Sequence, residues 1–179
     1  LPKEAYVVLL MNHPCRVRDY FFNKTDINST IEINVYKKII IRFIEMLEIK
    51  LGLEVIIAAH QKATEDENIY NGRLFLNDTE QMVKYAHGVV GHSTGAINFA
   101  VIHNKPFCLI GLKCLPIYSD FSIANKYYSD ELGVPLHYID TEKHIHALLK
   151  GKIFTIRSLG SISKSDNIRA PEQCKLSIS

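Results

Sequence analysis

Apolar residues fall along this chain in two rhythms. Residues 5–11, from Ala5 to Met11, form an unbroken apolar run of strand length, as expected for a strand covered on both faces. Further on, Ile40, Phe43, Ile44, Leu47 and Leu51 recur at helical spacing, which predicts a helix over 33–51 with Gly52 placed to stop it. Ser29 to Glu32, just before, has the form of a capping box. A second apolar run at 53–59 predicts another strand, ending at His60. After a polar, acidic stretch at 64–72 come a short strand over 74–76 and a small helix over 80–86 capped by residues 77–79. Residues 88–91 and 106–111 read as two buried strands joined by a tight turn at 92–95 and a helix of about ten residues. A helix over 118–132, a strand over 135–139 and a helix capped by 140–142 and running to Lys150 complete the pattern. Residues 152–157 have strand character, and 158–179 are polar and Ser-rich, suited to a loop or docking tail.

Strands alternating with helices on this beat imply βα units and a parallel sheet. The expected architecture is an α/β, Rossmann-like domain over residues 1–150, followed by a C-terminal extension over 151–179. In such sheets ligands bind outside the carboxyl ends of the strands. His13, His60 and the turn His92-Ser93-Thr94-Gly95 each follow the end of a predicted strand. That turn is built of small residues, so a ligand can approach its backbone closely and meet N–H groups at the helix start. The hydroxyls of Ser93 and Thr94 can donate to the same phosphate or carboxylate oxygens. A competing reading is that one of the two only caps the helix.

Composition narrows the classes without choosing among them. The chain has 179 residues, 47% of them hydrophobic, enough for one domain with a sizeable core. A net charge of +2, with Lys and Arg scattered, gives no argument for nucleic acid as a partner. No apolar run reaches the length of a membrane span. The chain starts at Leu1 with no charged-then-apolar leader, so a fragment of a longer protein is expected. Cys15, Cys108, Cys114 and Cys174 form no C-x-x-C pair or zinc spacing; Cys108 reads as a small core residue, and a reducing cytoplasm is the expected compartment.

Several chemistries can be weighed on motifs. Neither G-x-G-x-x-G nor the P-loop pattern occurs. Gly91-His-Ser93-Thr-Gly95 does have the spacing of a nucleophile elbow, which would need an acid and a later His such as Asp140 and His144 or His146, but a glycine-rich oxyanion loop is missing. His137, His144 and His146 lack a matching carboxylate motif, so no metal site is expected. Tyr118, Tyr127 and Tyr128 suit packing of their helix, or stacking on a base.

Val55-Ile-Ile-Ala-Ala-His60, and later Ser93-Thr94 followed by Gly-Ala-Ile-Asn-Phe-Ala-Val-Ile-His-Asn-Lys-Pro-Phe, resemble the C-terminal half of a GT-B glycosyltransferase. The likeness is to bacterial surface-polysaccharide transferases, including sialyltransferases that use CMP-activated sugars. It runs over about residues 5–111 and rests on short motifs. In that family an "HP" motif after one strand and a paired Ser/Thr motif at a later helix start hold the donor's nucleotide phosphate. The resemblance therefore implies that His60 and the Ser93-Thr94 pair, with His92 and Gly95 in the same turn, bind a nucleotide-sugar donor. Gln61 stands where the family has Pro, and Lys62 is a cationic neighbour that can compensate. The resemblance further implies a surface glycan or lipid-linked acceptor, no cofactor, an N-terminal domain carrying the acidic general base, and a cytoplasmic location at the inner membrane face through other parts of the protein. A UDP-sugar 2-epimerase-like enzyme and a non-catalytic nucleotide or sugar-phosphate-binding module remain alternatives on the same fold.

Overall fold

The computed structural model describes residues 4–11, 33–58, 74–75, 78–113 and 120–155. Strand β1 (Tyr6–Met11) is followed by helix α1 (Ile33–Leu51), β2 (Glu54–Ala58), β3 (Leu74–Phe75), α2 (Thr79–Tyr85) and β4 (Gly88–His92). A 3-10 turn (Gly95–Ile97) then runs into α3 (Asn98–Ile102), and β5 (Phe107–Gly111), α4 (Asp120–Leu132), β6 (Leu136–Tyr138) and α5 (Glu142–Lys150) follow. All the ladders among these strands are parallel, and the six strands lie in the order β3-β2-β1-β4-β5-β6. The expected α/β, Rossmann-like parallel sheet flanked by helices is what forms.

The unbroken apolar runs are explained by position. β1 lies mid-sheet, and every one of its residues is buried. Successive side chains point to opposite faces. Val7, Leu9 and Met11 pack with Tyr36, Ile40, Phe43, Ile44 and Leu47 of α1 and with Ile145, Leu148 and Leu149 of α5. Tyr6, Val8 and Leu10 join Met82 and Val83 of α2, Ala100 and Val101 of α3, and Val134 after α4. Helices therefore cover both faces, which lets a parallel sheet be apolar throughout.

Helix ends fall where the sequence marks them. Gly52 sits at φ 65 and its N–H donates to the Glu48 carbonyl at 2.8 Å, the left-handed stop that glycine adopts without a Cβ penalty. The Glu48 carboxylate also accepts from the Val55 N–H at 2.9 Å and so leads the chain into β2. Asp78 caps α2, with Oδ1 accepting from Glu80 N at 3.0 Å, and Thr141 caps α5 through His144 N at 3.3 Å.

Two expectations change. The helix after the 92–95 turn is shorter than expected, one 3-10 turn and five α-helical residues. Asn104 takes a left-handed φ of 51 and Lys105 N–H donates back to the Ala100 carbonyl at 2.7 Å, because Pro106 requires extended chain before it. Residues 152–155 make no full strand; Thr155 forms one antiparallel bridge to Phe107, with paired hydrogen bonds of 2.8 Å. The capping box at 29–32 and the tail from 158 lie outside the described residues, as do His13, His60 and Lys62.

Candidate functional site

The strand order reverses direction between β1 and β4: the chain builds outward from β1 through β2 to β3, then returns to β4 and builds outward through β5 to β6. The helices that follow the two strands, α1 and α3, pack on opposite faces of the sheet, the arrangement in which α/β sheets bind ligands at the strands' carboxyl ends. Met11 of β1 pairs with His92 of β4 at that edge. The Ser93-Thr94-Gly95 turn leaves directly from it.

The backbone of the turn is unusual at Ser93, whose φ is 53. Left-handed backbone costs a non-glycine residue about 1–2 kcal/mol and persists only where its surroundings hold it. One residue that holds it is Asn125, on α4. Its Oδ1 accepts from the Ser93 N–H at 2.7 Å, and Asn125 and Ser93 are both buried. Thr94 Oγ1 accepts from Ala96 N at 3.3 Å and so caps the 3-10 turn, as the simpler of the two readings expects. A capping oxygen keeps its own O–H to donate. Among the described residues no acceptor meets the N–H groups of Thr94 or Gly95. Half-buried Tyr128 brings its hydroxyl close to Gly95, 3.1 Å from where a Cβ would stand at this position. With only five α-helical residues behind the turn, the local N–H groups matter more than any helix dipole.

His92 is placed differently from its neighbours. It is the last residue of β4, and its ring lies on the α1 side of the sheet, with Nδ1 3.5 Å from the Tyr36 hydroxyl. The ring centroids are 5.9 Å apart. The residue is wholly buried, and burial lowers its pKa to about 4. At neutral pH it is an uncharged ring at the carboxyl end of β4, not a cation on the turn.

The structure does not assemble the hydrolase constellation. α5, which begins just after Asp140 and carries His144 and His146, packs with α1 on one face, whereas Ser93 is held from α4 on the other. β6 and β4 are separated by β5. Tyr127 and Tyr128 meet edge to face at 5.6 Å, and of the two it is Tyr128 that reaches the turn. No group of three His, Cys, Asp or Glu among the described residues could hold a metal ion, and no helix among them is long and apolar enough to cross a membrane.

Asn125 is the functional candidate that sequence reading missed. A single Asn within an amphipathic helix looks like an ordinary polar-face residue, and its partner lies 32 positions away. The backbone geometry makes its own test. Ser93→Gly is expected to leave the unfolding free energy within about 1 kcal/mol, because strain relief offsets the greater freedom of the unfolded chain. Ser93→Val, which adds branching at a left-handed residue, is expected to cost about 2 kcal/mol. Equal stabilities of the two variants in urea denaturation would contradict the left-handed assignment.

No family model matches the chain, and no curated protein does. Among solved structures it is similar to the glycotransferase of kitacinnamycin, with 14% sequence identity and a TM-score of 0.43, covering 84% of this chain and 35% of that one. The chain thus spans about a third of the length of the solved protein it matches.

Proposed function

We propose that this chain is the donor-binding domain of a glycosyltransferase, and that the Ser93-Thr94-Gly95 turn holds the phosphate of a nucleotide-sugar. The observation that carries the reading is the position of the turn at the carboxyl end of β4, beside β1, where the strand order reverses. The N–H groups of Thr94 and Gly95 and the two hydroxyls supply donors of the kind an anionic oxygen needs. The resemblance of the Ser93-Thr94 segment to the GT-B paired Ser/Thr motif supports the same assignment.

The chemistry follows from those donors. In glycosyl transfer an acceptor hydroxyl attacks the anomeric carbon, and the bond from that carbon to the phosphate oxygen breaks. The phosphate leaves with the electron pair, so negative charge grows there as the reaction proceeds. Oriented N–H and O–H donors stabilise that growing charge. The acceptor's proton passes to a general base across the cleft, which the GT-B resemblance assigns to a preceding domain. The acceptor on this reading is a surface glycan or a lipid-linked saccharide.

Calorimetric titration with CMP, CDP, UDP and GDP tests the proposal. Selective binding of one of them is the expected result; no binding to any by folded protein would sink it. The double variant Ser93→Ala with Thr94→Ala is expected to weaken the selected nucleotide by about 2 kcal/mol through loss of charge-assisted hydrogen bonds. Unchanged affinity in the folded double variant would remove the hydroxyls from the phosphate contact.

A further inference from the structure

We infer that Asn125 is the positioning residue of this site: its carboxamide oxygen fixes the left-handed Ser93 and thereby sets the direction of the Thr94 and Gly95 N–H groups. The inference rests on the phosphate-binding reading of the turn and adds to it a residue from a separate helix.

Geometry singles out this contact. Among backbone N–H groups with side-chain acceptors, the 2.7 Å Ser93–Asn125 bond is shorter than those capping α2, the 3-10 turn and α5, which measure 3.0 to 3.5 Å. It is also buried and bridges separate elements, whereas those caps are local. Asn125 is only 3% exposed, and a polar side chain is rarely buried that far unless a specific partner holds it. Because an N–H donates here, the oxygen of the carboxamide must face the turn, and the amide NH2 points elsewhere. Tyr128, three residues on and so on the same side of α4, meets the next part of the turn at Gly95. One face of α4 therefore touches the turn at two successive points, Ser93 and Gly95.

Two ordinary roles of a buried Asn do not account for this arrangement. It does not cap its own helix, since it sits well inside α4. Nor does it bridge two regular strands, since its partner is an irregular residue with strained backbone. Left-handed Ser93 without its acceptor would relax toward ordinary φ, and the two following N–H groups would rotate with it.

The test combines amide signals with affinity in the 179-residue chain. Proton–nitrogen correlation spectra of wild type, Asn125→Ala and Asn125→Asp are recorded, and each protein is titrated with CMP, CDP, UDP and GDP. Asn125→Ala is expected to displace the Ser93, Thr94 and Gly95 signals, leave those of α1 and β2 in place, and weaken the nucleotide that wild type selects at least tenfold. Asn125→Asp keeps an acceptor for the Ser93 N–H, so the turn signals should return toward wild type. Its added negative charge beside the phosphate should keep affinity low, a split that a purely structural Asn would not produce. Introducing Ser93→Gly into Asn125→Ala is expected to recover part of the stability that Asn125→Ala loses, since glycine needs no clamp to stay left-handed.

Unmoved turn signals in Asn125→Ala, or affinity within twofold of wild type despite moved signals, would overturn the inference. If wild type binds none of the four nucleotides, the phosphate reading fails by itself; the turn signals still decide whether Asn125 positions the turn. Should Asn125→Ala not fold, Asn125→Ser, whose oxygen is too short to reach, is judged by the same signals.

Discussion

Gly91→Val is expected to lower the unfolding free energy by about 3 kcal/mol or more, the upper range for overpacking a tight core. Gly91 lies in β4, paired with Leu10 on one side and Leu109 on the other. A Cβ built on it would stand 2.8 Å from Ile97 Cδ1, 3.0 Å from Leu109 Cδ2 and 3.2 Å from Ile97 Cγ1. Ile97 and Leu109 are themselves almost wholly buried, so neither has free space to move into. Alanine would need only a shift of two δ-methyl groups and should cost about 1 kcal/mol; valine adds two γ-carbons that those groups cannot clear. The site is affected as well, because Ile97 closes the 3-10 turn that begins at Gly95. Pushing Ile97 outward moves the N–H groups of the turn, so, if the turn holds a phosphate as proposed, Gly91→Val should lose nucleotide affinity beyond what its folded fraction explains. Urea denaturation checks the first part. A valine variant within 1 kcal/mol of wild type would mean that the close approach of Ile97, in the 3-10 turn, to β4 is not held in solution.

This contact shows why some of the fold was legible and some was not. The apolar stretches at 6–11, 55–58, 88–91 and 107–111 announce buried parallel strands because both faces of each are covered; Glu54, which opens β2, is exposed. The α1 stripe is equally plain, since Ile40, Phe43, Ile44 and Leu47 face one sheet surface and Gly52 ends the helix by local geometry. Local rules likewise place the caps within 77–79 and 140–142, where Asp78 and Thr141 supply them. Other features depend on what comes from far along the chain. Nothing near His92 in sequence says that its ring will be covered by Tyr36 of α1. Nothing near Ser93 says that Asn125 will bind its N–H. The small-residue turn could be found from sequence, but the clamp that shapes it could not. The length of α3 was misjudged for a different reason: its apolar pattern continues toward β5, while Asn104 and Pro106 end it earlier.

Below neutral pH the protein is expected to lose stability through His92, on the order of 3 kcal/mol by pH 4, with the sign set by where the proton goes. In the unfolded chain this imidazole titrates near its ordinary 6.5, whereas burial in the fold lowers it to about 4. Above pH 6.5 neither state binds the proton, and His92 contributes no pH dependence. Between 6.5 and about 4 the unfolded chain binds it and the folded chain does not, so acid favours unfolding. Below about 4 the folded protein takes up the proton too, and the effect levels off. Across that interval, at about 1.36 kcal/mol per pH unit, the sum reaches the quoted size. Partly buried His137, also lowered by desolvation, adds in the same direction. His92→Phe separates these contributions, because it keeps an aromatic ring against Tyr36 and removes only the one titration. Its stability curve should fall less steeply than that of wild type between pH 6.5 and 4.5, by close to one proton. Parallel curves would show that His92 can reach water or a partner when charged, and the neutral-ring assignment would fail. A flatter curve would mean that His92 is a neutral imidazole in the folded protein at neutral pH, so that any positive charge facing the proposed phosphate must come from other residues.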